Sequence, residues 1–302
     1  MQFDPNYVSR LATAVTQSSA AESQLTNELS SGLRVTSLQV DPVAAASSSR
    51  IGSAIAQDDS YLQAATGKQS ILQVTDSALG EVVSQLTSAV TLAVQGTNGT
   101  LNSSNLASIA LQLTAIRDRM VSLANTSYAG VYLFGGSQGT TPPYSIANST
   151  TPGVASTANY AGNDGVQTIQ TPTGQTIQTN LPGKAVFGDA SAGVFAALSQ
   201  LIADFSGTSI GSTTAADSSA LTAALTNVSS QRGILGSSLN QLQSSSAYFQ
   251  TDVTNLTAQQ SALVSSDTVS IATQLKSAET QHQALLSVMA ALGSTNLFNY
   301  MK

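Results

Sequence analysis

Side chains able to do chemistry are scarce in this sequence, and they do not converge. The chain holds one histidine and no cysteine, which removes thiol nucleophiles, disulfides and thiolate metal sites together. His282 lies between Ala278 and Leu285 on an apolar line, a place that suits a helix contact better than proton transfer. Glu279 beside it completes only a weak two-residue metal pair. Asp58 and Asp76 interrupt a second apolar line and read as solvated or cross-helix hydrogen-bonding groups. Asp164 and Asp189 have neither histidine nor glutamate near them in sequence. Gly130 and Gly135-Gly136 follow a helical stretch, the wrong order for a dinucleotide loop, which comes after a strand and opens a helix. No GxSxG, HExxH or P-loop pattern occurs. Asn98-Gly99-Thr100 and Asn148-Ser149-Thr150 have the glycosylation spacing, which turns supply by chance. The expectation is a protein that is not an enzyme, with no cofactor and no metal.

The elements carrying these residues are mostly helices with narrow seams. From Val264 onward, Val264, Ile271, Ala278, Leu285 and Leu292 fall seven apart, with Leu275, His282 and Met289 between them. Such a heptad stripe faces one or two partner helices rather than a globular core. Near the start, Val8, Leu11, Val15, Leu25 and Leu29 keep the same spacing, with Ser18 and Glu22 at two of its positions. Each terminus therefore offers half of a helical pair.

Asp4-Pro5 and Asp41-Pro42 both read as an N-cap followed by proline at the first helical position. The first helix should run to about Ser31, where Gly32 can take the left-handed ending with Leu33 folding back on the last turn. The second should run to about 95, through Ile51, Ile55, Leu62, Ala65, Leu72, Leu79, Val83, Leu86 and Val90, interrupted by Asp58, Gln69 and Asp76. After a turn at 96–99, Leu106, Ile109, Leu113, Ile116, Met120 and Leu123 predict a third helix, antiparallel to the second. Val131-Tyr132-Leu133-Phe134 reads as a strand. Segments 166–170 and 175–179 read as a β-hairpin. A short helix is expected at 194–205 and a loop at 207–213. Thr214 and Asp217 resemble a capping signal for a long helix through Leu221, Leu225, Val228, Leu235, Leu239, Leu242, Phe249, Val253, Leu256 and Leu263, with Arg232, Ser246 and Gln260 as polar entries. This helix should return beside the second one. A register slip at Val264, next to Ser265-Ser266-Asp267, marks a joint before the terminal helix.

Charged residues make up 9% of the chain, with a net charge of −6. Ten scattered basic residues do not make a phosphate-binding face, so nucleic acid is not an expected partner. No run approaches the roughly 18 apolar residues of a membrane span, and a membrane is not expected either. Met1-Gln2-Phe3-Asp4-Pro5 lacks the basic and apolar segments of an ordinary secretory signal.

Several segments resemble one family. Glu28-Leu29-Ser30-Ser31-Gly32-Leu33-Arg34-Val35 is similar to the signature near the start of bacterial flagellins and their relatives, and Asp41-Pro42-Val43-Ala44-Ala45 to the segment that follows it in the hook-associated branch. Gln231-Arg232-Gly233-Ile234-Leu235-Gly236, continuing to Asn240 and Leu242, resembles the C-terminal shaft. The stretch from Leu123 to Gly136, with Asn125-Thr126-Ser127-Tyr128 and Phe134-Gly135-Gly136, resembles junction members rather than filament subunits, as does the ending Asn296-Leu297-Phe298-Asn299-Tyr300-Met301. Leu33, Gln39-Val40 and Lys302 depart from the pattern.

The resemblance implies a mainly α fold: a long antiparallel helical bundle or coiled-coil shaft with paired terminal helices and a small β-rich insert. Its expected division is an N-terminal assembly helix and connector at 1–40, shaft at 41–130, insert at 131–190, shaft at 191–265 and C-terminal assembly helix at 266–302. It further implies a structural adaptor at the flagellar hook–filament junction, exported by the flagellar apparatus to the cell exterior. The implied partners are further copies in a ring, the preceding hook-associated protein, flagellin and a flagellar export chaperone. The candidate assembly residues are Val8, Leu11, Val15, Leu25, Leu29, Ile271, Leu275, Leu285, Met289, Leu292, Leu297, Phe298 and Tyr300. Two other readings stay open: a filament subunit, and an adhesive or glycan-binding activity in the insert.

Overall fold

The computed structural model of the chain describes residues 5–35, 39–97, 101–151, 153–207 and 213–297. The expected cap Asp4, Asn98, Gly99 and Thr100, parts of the 34–40 connector and the 207–213 loop, and the terminal Phe298 and Tyr300 lie outside the described residues. The described chain is mainly helical: α1 (Pro5–Ser31), α2 (Pro42–Gly96), α3 (Ser103–Ala124), α4 (Gly183–Phe187), α5 (Val194–Ser206), α6 (Thr214–Val264) and α7 (Thr268–Leu297). Between α3 and α4 lie β1 (Ser127–Tyr128), β2 (Val131–Tyr132), β3 (Tyr144–Ala147), β4 (Thr157–Tyr160), β5 (Thr168–Gln170) and β6 (Thr176–Gln178). They form antiparallel pairs β1–β2, β3–β4 and β5–β6. The chain divides into two compact units, one of residues 1–57 with 252–302 and one of residues 58–251, so the boundary falls within α2 and within α6.

In the larger unit a single core joins helices and strands. Leu72, Leu79, Val82, Leu86, Ala89 and Ala93 of α2 are buried in it. Leu113 and Met120 of α3 and Leu221, Val228, Leu235, Leu242 and Phe249 of α6 belong to the same cluster. Ala65, Leu72, Leu79 and Leu86 of the expected seam are buried, but at three positions the covered stripe of α2 shifts by one residue: Tyr61, Val82 and Ala89 are buried, whereas Leu62, Val83 and Val90 are half-buried. A 3.6-residue helix drifts against a seven-residue line, which rotates the covered face as the helix lengthens. α2 also holds an 18-residue window with a mean hydropathy of 1.2, long and apolar enough by composition to cross a membrane. Polar residues break the apolar run throughout α2, as expected, and 33% of that window is buried within the protein.

Polar breaks in the two long seams meet each other. Tyr61 hydrogen-bonds Ser245. Gln69 donates to the Ser246 hydroxyl at 3.1 Å, and Arg232 forks onto both oxygens of Asp76 at 2.8 and 3.1 Å. From Tyr61 with Ser245 to Asp76 with Arg232 the numbers rise along α2 and fall along α6, the expected antiparallel return. An unpaired amide or carboxylate against an apolar partner would lose its water without replacement, so these pairs hold the helices in one register.

The strands differ from expectation at Leu133 and Phe134. The strand stops at Tyr132 because the chain turns inward there, and Phe134 is fully buried edge-on to Phe187, with ring centroids 5.1 Å apart. Tyr144 and Phe195 complete that aromatic cluster. Asn125 at the end of α3 holds β3 in place, donating to the Tyr144 carbonyl and accepting from its N–H at 2.8 and 2.9 Å. Residues of the expected insert therefore share the core of α2, α3, α5 and α6.

Candidate assembly interface

In the smaller unit α1 packs on α7. The face of α1 that this covers runs through buried Leu11 and half-buried Ala14, Val15, Ser18, Glu22 and Leu25. On α7 it runs through buried Ile271 and half-buried Leu275, Ala278, His282, Leu285 and Met289. Steps of three and four place each set on one side of its helix. Of the candidate residues, Leu11, Val15, Leu25, Ile271, Leu275, Leu285 and Met289 thus lie on the covered stripes. Val8 and Leu29 are 51% and 36% exposed. Leu292 and Leu297 lie on the backbone of α7, their side chains outside the described residues, as are Phe298 and Tyr300.

The coverage is incomplete. Apart from Leu11 and Ile271 every covered position is only half-buried, and Tyr7, Val43, Val269, Leu286 and Val288 remain exposed. The stretch from Ala284 to Leu292 is apolar on more than one face of α7, whereas a single partner helix covers one narrow stripe. His282 is half-buried in the stripe, and its Nδ1 is shielded from solvent without a hydrogen-bond partner. Lys276 and Glu279 form an exposed ion pair at 3.3 Å on the same helix. Such a surface can pair helices; it does not bring together a base, a nucleophile and a pocket.

The joint between α6 and α7 is fastened by the segment after α1. Gly32 takes φ +68°, and its N–H closes α1 onto the Glu28 carbonyl at 2.9 Å. Leu33 does not fold back as expected. It is 39% exposed and makes a bridge with Ser265. That bridge is framed by the Arg34 N–H donating to Val264 at 2.8 Å and the Ser266 N–H donating to Gly32 at 3.0 Å. The Arg34 guanidinium also donates to the Leu263 carbonyl at 3.0 Å. A cation placed there satisfies a last-turn carbonyl and complements the negative end of α6. Its other arm reaches Asp41 at 3.4 Å.

Asp41 caps α2 by accepting from the Ala44 N–H at 3.0 Å. That N–H first, and Arg34 after it, hold the Asp41 carboxyl below the usual range. Asp267 caps α7 in the same way, accepting from Val269 at 3.0 Å. Arg34 and Asp41 were absent from the expected site because periodicity reports apolar contacts only. The pointer to them was the Gly32-Leu33-Arg34 motif between two caps.

Residues 6–139 match the bacterial flagellin N-terminal helical region, and residues 219–301 match the bacterial flagellin C-terminal helical region. A flagellar hook-associated protein 3 of Escherichia coli is 28% identical over 95% of both chains. One of Salmonella typhimurium is 30% identical over 58% of this chain, a match spanning about half, 53%, of that relative. Among solved structures, a flagellar hook-associated protein of Vibrio parahaemolyticus superposes with a TM-score of 0.63 at 19% identity, covering 75% of this chain and 100% of that one. Hook-associated protein 3 of Legionella pneumophila gives 0.61 at 15% identity, covering 71% and 98%. These likenesses agree with the helical fold described above. With both conserved helical regions of the family matched across most of its length, the chain belongs to the flagellin family.

Proposed function

We propose that the chain is a structural adaptor at the bacterial flagellar hook–filament junction, placed outside the cell, with no catalytic role. Its copies would form a ring, contacting the preceding hook-associated protein on one side and flagellin on the other. A flagellar export chaperone would hold the chain before secretion. The observation that carries this reading is the half-covered pair of α1 and α7, with Val8, Leu29, Leu286 and Val288 left exposed. A helix pair of this kind gains stability by adding further helices, because each removes apolar surface from water. The candidate residues on α1 and α7, with Phe298 and Tyr300 after them in the sequence, would supply that surface. Alignment with the hook-associated protein 3 of Escherichia coli along 95% of the chain supports a junction role over a filament role.

The test is immunogold electron microscopy of intact flagella with antibody against residues 137–190. Label at one position between hook and filament is the expected result. Label along the filament would make the chain a filament subunit, and absence of label from flagella would overturn both.

A further inference from the structure

A cavity of about 800 Å3 opens between the tip of the β5–β6 hairpin and one face of α6. Thr173 and Gln175 line it from the hairpin, and Ser237, Asn240, Gln241 and Tyr248 from the helix. Nothing in the assembly reading uses it. The volume is in the range of roughly 300–1,000 Å3 typical of small-ligand sites. Positions 233, 237, 240, 244 and 248 follow the three-four step of one helix face. Gly233 and Gly236 leave open space at one end of that face, where a Cβ would meet nothing within 4 Å.

Three observations define the ligand chemistry. Among the described residues no charged side chain lines the cavity, so they offer neither a counter-ion nor a phosphate clamp. The side-chain amides of Gln175, Asn240 and Gln241 and the hydroxyls of Ser237 and Ser244 are exposed or at the rim, and no described protein group engages them. Each amide both donates and accepts, which matches a ligand whose own groups are hydroxyls that do the same. Finally, Tyr248 is 59% exposed yet fixed edge-on against buried Phe249, with ring centroids 5.1 Å apart at 86°. Phe249 is in turn fixed by Tyr61. An exposed ring held in one orientation is a platform with an apolar face and a polar tip. Peptide-binding surfaces are built around buried aromatic or arginine anchors in apolar pockets, and only Tyr248 and Phe249 supply large apolar groups here.

From this cavity we infer that the chain binds a short neutral oligosaccharide between the hairpin tip and α6, with Tyr248 stacked on a sugar ring and Asn240, Gln241 and Gln175 pairing with its hydroxyls. The inference is independent of the junction role, since none of these residues lies on α1 or α7.

The experiment is a titration of the 15N-labelled full chain with maltotriose, cellotriose and chitotriose in turn, read on side-chain amide resonances. Saturable shifts of Asn240, Gln241 and Gln175 with at least one of the three sugars are expected. Affinity should fall at least tenfold in Tyr248→Ala and be retained in Tyr248→Phe. Because Tyr248 is exposed, the variants should keep the parent's circular dichroism. Absence of saturable shifts with all three sugars overturns the inference, as does binding undiminished in both Tyr248→Ala and Asn240→Ala. Concentration-dependent self-association that Tyr248→Ala abolishes, seen by sedimentation without sugar, would assign the cavity to a second copy of the chain instead.

Discussion

At the scale of single residues, the turn between β1 and β2 carries backbone strain. Ala129 takes φ +50° and Gly130 φ +80°, the pair of left-handed conformations that a two-residue hairpin turn demands. For an L-residue that conformation costs roughly 1–2 kcal/mol. Ala129→Gly should therefore stabilise the larger unit, by about 1 kcal/mol after the added unfolded-state freedom of glycine is subtracted. Urea unfolding followed by circular dichroism would measure it, and a lower midpoint would refute the strain. A second residue-scale effect sits where α5 meets α6. Asp217 has one carboxylate oxygen shielded without a partner, and Asp204 beside it accepts from Thr214 at 2.9 Å. Burial first, then the Asp204 charge, raises the Asp217 carboxyl above its ordinary value of 3.8. An acid raised in the folded state costs stability once pH exceeds the unfolded value, and costs nothing below it. The Asp217→Asn variant should gain stability relative to the parent as pH rises from 3.8 toward neutrality. Melting-temperature differences that stay flat across that interval would contradict the pairing of these two acids.

At the scale of elements, the pairing of polar breaks makes its own prediction. Arg232 and Asp76 are 42% and 36% exposed, so solvent screens their attraction, and their coupling in a double-mutant cycle with alanine should be about 0.5–1 kcal/mol. A coupling near zero would mean that this ion pair does not help to set the register of α2 against α6. The joint between α6 and α7 differs in kind. Arg34→Ala removes the donor to the Leu263 carbonyl and should speed hydrogen exchange of amides in α7 while leaving those of α3 and α5 unchanged; exchange in α7 equal to the parent's would show that Arg34 does not fasten the joint.

Periodicity made the helices legible because long seams repeat: the ends of α2, α3 and α6 fall within a few residues of expectation. It also placed the joint at Ser265-Ser266-Asp267. It missed what depends on one residue meeting another far along the chain. Arg117 is the clearest case. It lies off the apolar line of α3 and is only 4% exposed, donating to Asn148 at 2.9 Å and Ser156 at 3.1 Å in the β3–β4 hairpin. The inward turn of Leu133 and Phe134 was hidden for the same reason, since local β propensity reports nothing of the aromatic cluster that draws Phe134 in.

At the scale of the whole molecule, the chain invests differently in its two units. The larger one buries seven large aromatic side chains among its described residues, Tyr61, Phe134, Tyr144, Phe187, Phe195, Phe205 and Phe249. Of the described side chains on α1 and α7, only Leu11 and Ile271 are buried in the smaller one. Ordering a helix costs roughly 1–2 kcal/mol per residue in backbone entropy, which a stripe of half-covered residues offsets poorly without additional partners. Removing 293–302 deletes Leu297, Phe298 and Tyr300 and shortens α7. The loss should fall on association, because no residue of the larger core is touched. Purified truncated chain should keep the main thermal transition of the parent within about 2 °C, a shift smaller than the several degrees expected per kcal/mol in a domain of this size. In cells lacking the parent, the same truncation should leave hooks without label from antibody to 137–190. Labelled junctions at parental frequency would show that the terminal segment is dispensable, and would move the search for the assembly surface to the exposed Val43, Val269, Leu286 and Val288.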